Sequence, residues 1–166
     1  MKLFIASDHA GFKLKNNIRK RLKKEMLAKQ SFAAPANLPI CADIEFEDLG
    51  VFSDAEKVDF PDYAFSLGKK VVAENTRGVL VCGTGAGMCI AANKVKGVRA
   101  VLVYSEREAA DAMVHNNANV LCFNGYRTKP GKAMKMIHAW LNAQFDASER
   151  RLRRLQKISD FENDRA

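Results

Sequence analysis

The sequence has no apolar stretch approaching the ~18 uninterrupted residues a membrane-spanning helix needs, because Gly, Lys or Arg breaks each run well before that length. It also lacks a signal-peptide layout: Met1-Lys2-Leu3-Phe4-Ile5 leads straight into Asp8-His9. These two absences set the expectation of a soluble, cytoplasmic protein without a membrane partner. Cysteine is scarce. Cys41, Cys82, Cys89 and Cys122 form no C-x-x-C pair and no metal-ligand spacing, so a zinc site or a disulfide framework is not expected and reduced thiols are. No internal repeat or low-complexity segment is present.

What is present fits one globular domain: 166 residues, 48% apolar and 28% charged. The net charge of +8 points to an anionic partner, whether nucleic acid, a membrane surface or a phosphorylated metabolite. Much of that charge lies between Lys13 and Lys29, where Lys13, Lys15, Arg19, Lys20, Arg21, Lys23, Lys24 and Lys29 surround Leu14, Ile18 and Leu22. The spacing predicts an amphipathic helix with a solvated basic face. A nucleic-acid patch is the less favoured reading, because no aromatics interleave with the lysines as stacking platforms.

Short β-branched runs alternate with helical patterns along the chain. Lys2–Ser7, Glu45–Leu49, Gly78–Cys82, Val98–Val103 and Val120–Phe123 read as strands. Helices are expected from Glu106 to His115, from Ala133 to Phe145 and, capped by Ser148, from Ser148 to Ile158. Gln30–Asp43, with Pro35 and Pro39, reads as an extended loop. Such alternation implies an α/β fold: a single-domain, Rossmann-like three-layer sandwich around a mostly parallel five-stranded sheet, with ligands bound beyond the strands' carboxyl ends. Residues 1–147 would form the body, and residues 148–166 a basic helix and tail of the same domain.

Cys82-Gly83-Thr84-Gly85-Ala86-Gly87 puts a thiol and a hydroxyl on a glycine-rich turn between a strand and a helix. Inward-turned N–H groups there could hold an anion or oxyanion and favour the thiolate of Cys82. Met88 occupies the place where a dinucleotide fingerprint needs its third glycine and where a cysteine phosphatase needs its arginine, and the Gly-Lys-Ser/Thr of a phosphate loop is absent. An inert strand-end cysteine above a tight turn remains the plain alternative. Asp8-His9, Thr84 and His115-Asn116-Asn117 follow or approach strand ends and are expected to gather on one rim. His138, inside an amphipathic helix, reads as structural. Arg150 and Arg154 share a helix face suited to a phosphate, against the default of a solvated charge run.

Four segments, in order, carry a specific resemblance. They are Ser7-Asp8-His9-Ala10-Gly11, Asp59-Phe60-Pro61-Asp62-Tyr63-Ala64, Cys82 to Gly87 followed by Ile90-Ala91-Ala92-Asn93-Lys94, and His115-Asn116-Asn117-Ala118-Asn119-Val120-Leu121. The chain resembles the ribose-5-phosphate isomerase B family and its hexose-phosphate relatives over nearly its whole length. The resemblance implies aldose–ketose isomerisation of a sugar phosphate, pentose or hexose, with no metal or organic cofactor. It implies Cys82 as the base, the amides of Gly83, Gly85 and Gly87 as the enediolate cradle, and Thr84 with His115 opening the sugar ring. Asp8 and Asn116 would bind sugar hydroxyls, while His9, Arg127, Arg150 and Arg154 would hold the phosphate. It further implies a homodimer or homotetramer with the site at the subunit interface, the 148–166 segment packing on a partner. A family subset uses a glutamate at the position of Met88, which cannot accept a proton. Phe60 replaces the family's usual tyrosine, Arg127 comes one residue late, and Arg151 replaces a common histidine. A noncatalytic nucleic-acid or effector-binding module is the alternative outside enzymes.

Overall fold

Leu3, Phe4, Ile5 and Ala6 are all fully buried, as a strand covered on both faces requires. In the computed structural model, which describes residues 1–29 and 44–164, they lie in β1 (Lys2–Ser7). The chain continues through α1 (Phe12–Lys29), β2 (Glu45–Asp48), α2 (Phe60–Ala73), β3 (Arg77–Cys82) and α3 (Ala86–Ala92). It ends with β4 (Ala100–Leu102), α4 (Glu106–Asn116), β5 (Val120–Asn124), α5 (Pro130–Asn142) and α6 (Glu149–Asn163). The strands form one sheet in the order β2-β1-β3-β5-β4, every pair parallel.

Alternate strand residues feed two separate cores, as the period of two demands. Leu3, Ile5, Val79, Val81, Leu121 and Phe123 pack with Leu14, Ile18 and Leu22 of α1, Met113 of α4, and Ile137 and Trp140 of α5. Phe4, Ala6, Leu80, Cys82, Val120 and Cys122 pack with Leu67 and Val71 of α2 and Met88 of α3. The result is the expected three-layer sandwich. The chain moves from β1 outward to β2 and returns to β3, while α1 and α3 leave on opposite faces. A crevice therefore opens between the carboxyl ends of β1 and β3, the place where such sheets bind ligands.

Several boundaries depart from expectation. Helix α2 was not among the expected helices, although Ala64, Leu67, Gly68 and Val71 are buried at helical spacing behind Pro61. Strand β4 is three residues long, shorter than Val98–Val103 at both ends; ahead of it, Asn119 Oδ1 takes the Arg99 N–H at 2.8 Å. Helix α5 stops at Asn142, where Ala143 turns extended. Helix α6 runs on to Asn163, and the Ser148 side chain makes no capping bond; instead Asp146 accepts the Ser148 N–H on Oδ1 at 3.0 Å and pairs with Arg151 through Oδ2. The expected Gln30–Asp43 loop lies outside the described residues. No helix among the described residues is long and apolar enough to cross a membrane.

Candidate functional site

The loops after β1, β3 and β5 lock together at the carboxyl rim. Gly125 N–H donates to Cys82 O at 2.8 Å and Tyr126 N–H to Gly83 O at 3.1 Å. A Cβ at Gly11 would stand 2.2 Å from Val81 O, so glycine alone lets the turn after β1 reach β3. Gly85 adopts a left-handed φ of 83° as the N-cap of α3, and a Cβ there would lie 2.5 Å from Leu102 Cδ1. This bend folds the Gly85 N–H back onto Cys82 Sγ at 3.1 Å.

Cys82 is 4% exposed. Burial pushes its thiol above the ordinary range; the N–H groups of Met88, Gly85 and Thr84 oppose this, and the Asp8 carboxylate adds to the rise. The expectation that the loop would favour the thiolate is thus corrected: desolvation outweighs the amides. A thiol held in this way is a stronger base once ionised. Met88 is fully buried in the core under the sheet, with no route to a proton.

Asp8 follows β1, and its carboxylate accepts the Gly11 N–H at 2.8 Å, shaping its own turn; burial raises its pKa despite that bond. His9 Nδ1 accepts the Val58 N–H at 3.2 Å, which leaves Nε2 to carry the proton in the neutral ring. Thr84 is exposed beside Cys82, its hydroxyl oxygen accepting the Ala86 N–H at 3.4 Å. Arg127, exposed, follows β5 on this same rim.

His115 and Asn116 do not join them, which corrects the expected gathering on one rim. A helix that leaves a strand's carboxyl end returns to the amino end, and α4 obeys: Asn119 O accepts the Gly78 N–H at 2.9 Å, at the start of β3. Gly78 pairs with Val120 and Cys82 with Asn124, so the two levels are separated by roughly 13 Å of strand. His115 and Asn116 instead line a 640 Å³ cavity with Arg154, Lys94, Lys96 and Arg99. His115 Nε2 lies 3.9 Å from Asp111 Oδ1. Arg150 is exposed one turn before Arg154 on α6. His138 pairs with Glu25 at 3.0 Å, in keeping with a structural role.

The predicted residues therefore form two groups on one chain: Asp8, His9, Cys82, Thr84 and Arg127 at the carboxyl rim, and His115, Asn116 and Arg154 at the other end. Sequence reasoning missed Lys15, a fully buried lysine whose Nζ donates to Asp48 Oδ1 at 2.6 Å and Val51 O at 2.7 Å. It also missed Lys96 and Arg99 on the cavity wall, and Tyr126, whose ring lies against Gly83. Among the described residues no three His, Cys, Asp or Glu side chains converge on a point that could hold a metal ion.

Fold and rim define an α/β protein that presents a thiol and a cluster of backbone donors at the sheet's switch point. The chain belongs to the ribose/galactose isomerase family, which it matches over residues 3–158. A putative sugar phosphate isomerase of Bacillus subtilis is 39% identical over 163 residues, 98% of this chain and 97% of the relative. A probable ribose-5-phosphate isomerase B of Mycoplasma genitalium is 39% identical over 165 residues, 98% and 96% of the two chains. The structure of ribose-5-phosphate isomerase B from Mycoplasma genitalium with bound ribulose-5-phosphate matches with a TM-score of 0.81 at 41% identity, covering 98% of this chain and 96% of that one.

Proposed function

We propose that this protein interconverts ribose 5-phosphate and ribulose 5-phosphate through a cis-enediolate. In the forward direction the Cys82 thiolate takes the proton from C2 and returns it to C1, while a proton passes from O2 to O1. Backbone amides from Gly83 to Gly87 hold the enediolate oxygens, the preorganised donors that such a charge requires. Asp8, whose carboxylate acts on the thiol, binds sugar hydroxyls, Thr84 assists ring opening, and His9 and Arg127 take the phosphate end. His115, Asn116, Arg150 and Arg154 enter from a second copy, because on one chain they face the opposite end of the sheet. Helix α6 supports that reading: it has no buried residue and exposes Leu152 and Ile158, so it suits packing on a partner in a homodimer or homotetramer.

The observation that carries the proposal is the placement of the Cys82 sulfur, with the Gly85 N–H donating to it at 3.1 Å, on the glycine-rich loop at the β1/β3 crevice. Membership of the family and the ribulose-5-phosphate in the Mycoplasma genitalium structure support the pentose. A coupled assay on ribose 5-phosphate tests it. Cys82→Ala is expected to abolish isomerisation with an unchanged circular dichroism spectrum; full activity in that variant removes the base. A different chain length is the competing reading: a relative in Pectobacterium atrosepticum, 33% identical over 147 residues, is a D-erythrulose-4-phosphate isomerase, and the family name includes galactose. Comparing kcat/KM on four-, five- and six-carbon phosphates decides it.

A further inference from the structure

Tyr126 is an aromatic with 72% of its surface exposed, yet it is held in place. Its N–H is shared between Gly83 O and Asn124 Oδ1, both at 3.1 Å. Its ring lies against the bare Cα of Gly83, where a Cβ would stand 2.6 Å from Cε2, 2.7 Å from Cζ and 2.8 Å from the hydroxyl. Across the loop, the Phe60 ring meets Gly87 in the same manner, with Cζ 2.9 Å from the Cβ position. Two rings thus bracket the amides between Gly83 and Gly87. Next to Tyr126 in the chain stands the exposed Arg127.

We propose that Tyr126 is the residue that sets substrate length. The inference rests on the isomerase reading, in which the reacting carbons sit on the loop amides beside Cys82 and the phosphate reaches Arg127. Tyr126 then runs alongside the carbons in between. Its hydroxyl bonds a middle sugar hydroxyl, and its ring closes the space a longer chain would occupy. An amphipathic side chain with two rotatable bonds, anchored through its own backbone, suits a rigid wall with a polar tip.

The test measures kcat/KM on four-, five- and six-carbon aldose phosphates for wild type, Tyr126→Phe and Tyr126→Ala, with inhibition by inorganic phosphate as a second readout. Loss of one hydrogen bond predicts a fall of about five- to tenfold on the preferred substrate for Tyr126→Phe. Tyr126→Ala is expected to raise the six- to five-carbon ratio of kcat/KM about tenfold or more, on the order of what an emptied apolar contact discriminates. Phosphate inhibition should stay within about twofold of wild type, because that contact belongs to Arg127 and the partner's arginines. An unchanged ratio in Tyr126→Ala, in an enzyme that does isomerise, overturns the length-setting role alone. A wild type that isomerises none of the three sugars removes both this inference and the reading beneath it.

Discussion

Mixing two inactive variants should restore activity if the site is shared between copies. Cys82→Ala removes the base from the carboxyl rim and His115→Ala removes a group from the opposite end of the sheet, roughly 13 Å of strand away. In a two-fold dimer each site takes Cys82 from one copy and His115 from the other. A heterodimer of the two variants then carries one site with both defects and one with neither. After random exchange at equal concentrations about half the dimers are mixed, each with one of two sites intact, so activity should recover to about a quarter of wild type. A tetramer built from two such dimers gives the same fraction. The assay is isomerisation of ribose 5-phosphate after the variants are denatured and refolded together, with each variant refolded alone as its control. Activity no higher than the separately refolded variants would refute the shared site, and with it the role given to α6.

Two further outcomes follow from individual groups. An ordinary thiol of pKa 9.0 is about 9% ionised at pH 8, and burial holds Cys82 above that value. Since the thiolate is the active form, kcat/KM should climb close to tenfold from about pH 7 to 8 and keep rising above that, and a plateau by pH 8 would show that this thiol is not the base. Lys15→Met deletes the ammonium that Asp48 and Val51 O share while leaving Arg19 on Asp48 at 2.6 Å. Breaking such a buried pair costs about 3 kcal/mol, or roughly 6–12 °C in Tm for a chain of this length. The 48–51 turn also bonds Ser7 through Gly50 O and the Val51 N–H, both at 2.8 Å, so kcat/KM should fall with Tm. A Tm change under about 3 °C would discount the pairing as a stabilising element.

The central strands were legible because β1, β3 and β5 are buried on both faces and read as nearly continuous apolar runs; Leu3–Ala6 and Val79–Cys82 needed no tertiary information. Helix α2 was equally encoded, in Ala64, Leu67, Gly68 and Val71, but those positions were overlooked beside the Asp59-Phe60-Pro61 motif. Long-range facts were not legible. Lys15 sits in a basic stretch and reads as one more solvated lysine; only β2, contributing Asp48, shows it to be buried. The state of the Cys82 thiol is a difference between desolvation and amide donation, and composition reveals neither magnitude.

Placing His115 is a separate case, because chain polarity alone was sufficient to do it. A helix after a parallel strand ends where the next strand begins, so residues at the end of α4 belong to the amino rim in any right-handed crossover. Motif order shows which residues matter and not which rim they occupy. That distinction has a physical consequence here. The chain closes two cores by itself, yet Arg154 of α6, proposed to hold the phosphate, lines the cavity with His115, at the opposite end of the sheet from the thiol of β3. No side-chain rotation spans that separation, so a site that uses both sets can be assembled only by bringing the amino end of one copy against the carboxyl rim of another. Oligomerisation would then be a condition of the chemistry and not an addition to stability, and dilution below the assembly's dissociation constant should remove activity while each chain keeps its fold.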